Sequence, residues 1–240
     1  MAPETVENEA LRLAPEDYPQ IDHLVTEDNS PMDNIFSEKQ QRLLTEPLYS
    51  SWRIPERRFI VLANVGLFHT THDPAIVPDT LLSLDVSLPE SLFPKANRSY
   101  FTWMYGTPDV VVEIVSNREG NEDTSKQTEY ARIRIPYYAI YDPEGWLSKQ
   151  PLRVFQLRGR SYQLMSEPYW LPDVDLGLRI WEGQYEDHTN TWLRWCDGAG
   201  NVIPTGAERA EQEKQRAEQE KQRAERLAAQ LRARGIEPEV

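Results

Sequence analysis

The sequence is nearly without cysteine: Cys196 is the single one in 240 residues. One thiol excludes an internal disulfide framework and fits a reducing, cytoplasmic compartment. No apolar run approaches the roughly 20 residues that a membrane span needs, so no membrane partner is expected. The stretch from Met1 to Glu9 is acidic and has no basic segment followed by an apolar one, which argues against a secretory signal. Basic charge is scarce as well. Lys+Arg number 26 against 39 Asp+Glu, a formal net charge of -13. Such a chain is not a generic polyanion binder. No glycine-rich phosphate loop and no dense Lys/Arg patch is present.

Hydrophobic residues make up 39 % of the chain, enough for a packed core of modest size in one domain with appendages. Residues 1–30, rich in Glu, Asp and Pro, read as a flexible N-terminal arm. A helix is expected to open near Asp33 or Ser37, whose side chains can accept the orphan N–H bonds of a first turn, and to close before Pro47. From Phe59 the texture becomes apolar and β-branched. Phe59–Phe68, Val77–Val86 and Asp109–Val115 read as successive strands. A polar segment, Asn117–Thr124, leads into a helix containing Lys126, Tyr130 and Ile133 that stops before Pro136. Tyr137–Tyr141 is a fourth strand. Leu152–Leu157 and Tyr162–Met165, split by Arg158-Gly159-Arg160, read as a hairpin. Strands and a crossover helix in this order imply an α/β fold with a mixed sheet. Residues 31–206 form this body, and further strands are expected in its Trp-rich last part.

The tail, 207–240, differs again. Ala210-Glu-Gln-Glu-Lys-Gln-Arg repeats unchanged from Ala217, and Ala224 begins a third copy. The seven-residue period and good helix formers mark a long helix or coiled coil. Its seam is poor, because Ala210, Ala217, Ala224 and Leu231 share one position while Glu213 and Glu220 occupy the complementary one. A solvated helix fits this pattern better than a self-sufficient dimer. Between Ala207 and Gly235, eight Lys+Arg stand against six Glu, so the acidity resides in the body.

One constellation could carry chemistry. Side chains alternate along a strand, so Asp109 and Glu113 would share a face with Val111 between them. Two carboxylates on an apolar strand are costly to bury unless neutralised, and a hard divalent cation does this with few protein ligands. Asp79, after Pro78 at the head of the preceding strand, could join Glu113 if the strands are neighbours. Lys126 shares the inward helix face with Tyr130 and Ile133. An ammonium there could orient a metal-bound water and stabilise charge on a phosphorane. The bland alternative is that the Pro-Asp pairs are turns and that Lys126 pairs with Glu122 or Glu129 along its own helix.

The ordered set Val77-Pro-Asp, Thr107-Pro-Asp-Val-Val-Val-Glu-Ile-Val-Ser, Lys126-x-x-x-Tyr130-Ala-Arg and Pro136-Tyr-Tyr-Ala-Ile-Tyr-Asp-Pro resembles the Uma-type family of bacterial endonucleases, part of the PD-(D/E)xK, restriction-endonuclease-like superfamily. Flanking stretches, Asp33–Leu44, Leu176–Gly183, Thr191–Asp197 and the Ala-Glu-Arg-rich tail, add to the likeness, which spans roughly residues 30–235. The resemblance implies a restriction-endonuclease-like core: a mixed central sheet flanked by helices, with added late strands and a helical tail. It also implies Mg²⁺, with Mn²⁺ as a substitute, and DNA as substrate. Asp79 matches the Pro-Asp acid and Glu113 the second acid, both as metal ligands. The superfamily's lysine usually stands two residues after that acid, where this chain has Val115; Lys126 on the following helix takes its place. Asp109 is expected as a secondary ligand, Tyr130 as support for the lysine, and Glu38 as a more distant further acid. Arg134 stands where the family often has a left-handed glycine, and Glu122 where it commonly has Asp. The competing expectation is a catalytically idle fold serving as an interaction module, a homodimer formed through the tail.

Other residues carry less. His69 and His72 follow a strand-like run and precede Pro74, so helical convergence on zinc is not expected. Trp170, Trp181, Trp192 and Trp195 read as packing of a late sheet before a stacking platform. Cys196 reads as a structural thiol.

Overall fold

A computed structural model describes residues 13–20, 34–52, 57–116 and 125–234. The Asn117–Thr124 connection, with Glu122, lies outside these residues, as do most of the N-terminal arm and the last six positions. The part of the arm that is described does not hang loose: Leu13 donates its N–H to the Trp103 carbonyl (3.2 Å), and Tyr18 packs on the Phe68–Phe101–Trp103 cluster.

Helix α1 (Ile35–Ser50) starts at Asn34, whose side chain accepts the Ser37 N–H. It does not close before Pro47 as the sequence suggests. Pro47 lies inside it and is buried. A proline removes one donor from the ladder; here that loss falls in the last turn, and the Pro47 carbonyl still accepts from Ser51 and Trp52. Strand β1 (Phe59–Ala63) is followed by the short β2 (Leu67–Phe68), then β3 (Thr80–Leu84). The two-residue β4 (Tyr100–Phe101) pairs parallel with β2 and runs into the single helical turn α2 (Thr102–Tyr105). Strand β5 (Val110–Ile114), helix α3 (Ser125–Ile133) and β6 (Tyr137–Tyr141) form the crossover, and β7 (Leu152–Arg158) with β8 (Ser161–Leu164) is the hairpin.

The main sheet has the order β1-β3-β5-β6-β7-β8. Only β5 and β6 pair parallel, as a helical crossover permits; the other neighbours are antiparallel. A second sheet, β9 (Tyr169–Leu171), β10 (Leu176–Tyr185) and β11 (His188–Cys196), is built from the late Trp-rich segment. The chain is thus a mixed α/β protein with the restriction-endonuclease-like arrangement.

Alternation along β5 sorts its side chains. Val110, Val112 and Ile114 join Leu44 and Leu48 of α1, with Leu171, Leu176, Leu193 and Trp195 of the second sheet, in one core. Val111 and Val115 join Tyr130 and Ile133 of α3 and Tyr138 and Ile140 of β6 in the other. Two hydrophobic layers sandwich the sheet, so all of β5 is buried. Helix α1 is registered on β11 by Gln40. Its amide donates to the Leu193 carbonyl and accepts the Leu193 N–H, each at 2.9 Å, copying the bonding of a missing strand.

The tail is helix α4 (Gly206–Ala233), with no buried residue. Its start is nonetheless built into the body. Thr205 and Glu208 form a capping box, and Glu208 pairs at 2.7 Å with the fully buried Arg194. Arg209 bonds the Ser50 carbonyl, and the Gly206 N–H reaches Glu46.

Candidate active site

Strands β3 and β5 run antiparallel with Thr80 opposite Val112. One step further along the same register sets Asp79 against Glu113. Residues directly opposite project to the same side of a sheet, with Cα atoms about 4.5–5.5 Å apart. Both acids are withdrawn from water, Asp79 to 9 % exposure and Glu113 to 1 %. They sit where β3 begins and β5 ends. At such an end the two helix layers, one on each face, can both lean in, and each supplies a donor.

From α3, the Lys126 ammonium donates to Glu113 Oε2 at 2.9 Å and the Tyr130 hydroxyl donates to Glu113 Oε1 at 2.5 Å. The two donors are four residues apart on one helix face, so a single turn presents both. Burial pushes the Tyr130 hydroxyl well above its ordinary pKa, and the negative Glu113 beside it pushes the same way, so Tyr130 stays protonated as a donor. From α1, the Gln41 amide donates to Asp79 Oδ1 at 2.9 Å. The backbone N–H of Ile114 donates to Asp79 Oδ2 at 2.6 Å, tying the Asp79 carboxylate to the strand that carries Glu113. Every oxygen of the two carboxylates thus has a donor fixing its direction, the condition for a preorganised ligand set.

The structure therefore brings together four of the six residues singled out from the sequence: Asp79, Glu113, Lys126 and Tyr130. Lys126 crosses from its helix to the sheet, to Glu113. Asp109 is not brought in. It lies four residues before Glu113, about 13 Å along the strand. There its carboxylate accepts the Leu84 N–H at 2.7 Å, with Arg57, Asp85 and Asp173 as its charged surroundings. Desolvation dominates, and the Asp109 carboxyl is pushed up to about 6. Alternation along a strand gives a face and says nothing of this distance. Glu38 is also elsewhere, on the exposed side of α1 and paired with Arg42 at 2.6 Å. Gln41 was not anticipated. The available signal was a glutamine on the apolar stripe of α1, seven residues before Leu48 and three before Leu44, where burial demands a bonding partner. Val115 packs in the core at 1 % exposure, so the place usual for the lysine is filled by a hydrophobe.

Two carboxylates supply hard oxygen donors, which suit Mg²⁺ or Mn²⁺ and suit zinc poorly. Among the described residues no group of three or more His, Cys, Asp or Glu could hold a metal ion. A two-acid site fits Mg²⁺, which keeps several waters and takes one or two protein carboxylates. His69 lies 3.4 Å from Asp73, and His72 bonds Thr71.

A mixed sheet with a buried Asp and Glu on neighbouring central strands, and a lysine reaching the Glu from the crossover helix, has the restriction-endonuclease-like arrangement. A family model agrees: the Uma2 family, described as "Putative restriction endonuclease", matches residues 18–182, more than half of the chain. The chain belongs to the Uma2 family. No curated protein matches it.

Proposed function

We propose that the protein is a Mg²⁺-dependent endonuclease that hydrolyses phosphodiester bonds of DNA, with Asp79 and Glu113 as metal ligands and Lys126 as the third catalytic group. The observation that carries this reading is the meeting of the three side chains, from β3, β5 and α3, at one end of the sheet. The nuclease family to which the chain belongs supports DNA as the substrate.

When bound, Mg²⁺ would lower the pKa of a coordinated water and polarise the phosphate; Mn²⁺ could substitute. The protein's own part is positional and electrostatic. Lys126, 27 % exposed where Glu113 is 1 % exposed, stands on the solvent side of the acid. From there its ammonium can hold a water in line with the phosphorus and donate to an oxygen on which charge grows. Tyr130 fixes Glu113 from the side opposite the solvent, and Gln41 fixes Asp79. Glu113 holds the ammonium in place while its second oxygen stays bonded to Tyr130. Cytoplasmic action fits such an enzyme and the single, buried Cys196.

A catalytically idle fold that self-associates through its tail is the competing reading. In its favour, none of the 28 residues of α4 is buried, which leaves the helix beyond Arg209 for a partner. Mg²⁺-dependent nicking of supercoiled plasmid separates the two. Wild type should nick, and Glu113→Ala and Lys126→Ala should each be slower by roughly 10²–10³. Equal background rates in all three would leave the idle module standing.

A further inference from the structure

The donors that hold the two acids are of two kinds. Tyr130 is fully buried and bonds Glu113 Oε1. Gln41, also buried, bonds Asp79 Oδ1, and the Ile114 N–H on Asp79 Oδ2 belongs to the strand itself. These three donors are neutral, and packing or backbone fixes each of them. Of the four, Lys126 alone is charged. Its side chain is 27 % exposed, and its ammonium lies 2.9 Å from Glu113 Oε2.

A buried carboxylate is costly unless a positive group or a metal ion neutralises it. For Glu113, which is 1 % exposed, the Lys126 ammonium already does so. It therefore draws on the same negative charge that a divalent ion would use. Each carboxylate oxygen has two lone pairs, so Glu113 Oε2 can serve an ammonium and a metal ion together. Two cations on one oxygen repel each other at close range, and the partial exposure of Lys126 screens that repulsion without removing it. The repulsion does not depend on what else either group touches, because it acts between the two cations themselves.

We propose that Lys126 is the resident counter-ion of the acid pair and the residue that sets its metal affinity. It neutralises Glu113 before a metal binds, and it holds the affinity for Mg²⁺ or Mn²⁺ down. This rests on the nuclease reading above and gives the lysine a role besides catalysis. The sign of the effect is distinctive. Removing a metal ligand weakens metal binding and slows catalysis together; removing the Lys126 charge strengthens metal binding and slows catalysis.

The test uses the full chain, treated with chelator and without DNA. Mn²⁺ and Mg²⁺ binding is measured by calorimetry for wild type, Lys126→Gln, Lys126→Met and Lys126→Arg. Glutamine keeps a donor for Glu113 and removes the charge, methionine removes both, and arginine keeps the charge. Lys126→Gln should bind Mn²⁺ about tenfold more tightly than wild type, and Lys126→Arg should stay within about threefold of it. In melts with chelator, Lys126→Met should unfold below wild type, because a buried charge has lost its partner. Saturating Mn²⁺ should then raise its melting temperature by more than that of wild type. If Lys126→Met does not fold, Lys126→Gln decides the matter by itself. Binding by Lys126→Gln that is equal to or weaker than wild type would overturn the proposal, as would an equal gain in Lys126→Arg, which would assign the effect to shape. If wild type nicks plasmid and these affinities do not differ, this inference alone fails. If no form of the chain binds a divalent ion, the metal-dependent nuclease reading fails and takes this inference with it.

Discussion

At the scale of the residue, the site is a set of directed hydrogen bonds around two buried acids. Tyr130→Phe removes the donor to Glu113 Oε1 without changing the ring. Loss of such a supporting bond should cut Mg²⁺-dependent activity by about 10- to 100-fold, and melting should show a cost of about 1–3 kcal/mol for the buried oxygen it leaves. Asp109 offers a contrasting test. Its folded-state pKa of about 6 lies above the ordinary 3.8, so the native state binds that proton more tightly than the unfolded chain does. The resulting stabilisation is complete below about pH 4 and is lost as pH rises through about 6. Asp109→Asn should therefore match wild type near pH 4 and melt higher above pH 6, by an amount on the order of 1–3 kcal/mol, with nicking activity retained. A fall in activity would return Asp109 to the metal site. Pro-Asp, Glu and Lys could be picked out from the sequence as a candidate set because acids and amines on apolar faces require explanation. Gln41 and the misplacement of Asp109 could not, since periodicity gives a face and says nothing of which end of a strand meets which helix.

Elements were legible wherever one physical signal dominated. Tyr137–Tyr141 matches its observed strand residue for residue, because an apolar run between Pro136 and the turn-forming Asp142-Pro-Glu-Gly admits little else. Helix α1 runs past Pro47, where the sequence suggests a stop, because a proline in a last turn breaks a single ladder bond. At the end of α3, Arg134 stands where the family often has a left-handed glycine and has φ 69, in the left-handed region. The Ile135 N–H bonds the Tyr130 carbonyl and the Arg134 N–H that of Ala131, which is a Schellman ending. Lacking a Cβ, glycine adopts this conformation without strain, so Arg134→Gly should stabilise the protein by about 0.5–1 kcal/mol in thermal melts. Activity should be unchanged, because the helix already places Lys126 on Glu113 with the strained cap. A destabilised Arg134→Gly would show that the arginine side chain makes up for its own backbone.

For the whole molecule, the boundary between body and tail is less abrupt than composition suggests. Repeats and charge mark 207–240 as a separate segment, yet Glu208 neutralises Arg194 inside the body, and Arg194 also stacks on Trp181. Removing one partner of a buried pair leaves the other charge uncompensated. Glu208→Ala should therefore destabilise the body by about 3 kcal/mol, whereas truncation after Arg209 should leave its melting temperature nearly unchanged. No described helix is long and apolar enough to cross a membrane. The second sheet, invisible as a distinct layer in the sequence, arises because the late strands bury Leu171, Leu176, Leu193 and Trp195 on the open face of the main sheet, which only tertiary contact reveals.

The central claim is that an acid pair and a lysine, distant in sequence, act as a unit. Its most direct test is the Mg²⁺-dependent rate of plasmid nicking for Glu113→Ala, Lys126→Ala and the double variant. Groups that act together are strongly non-additive. The account predicts that each single variant loses nearly all activity and that the double variant is no slower than the worse single. Single variants that keep wild-type rates, or losses that multiply in the double, would contradict it.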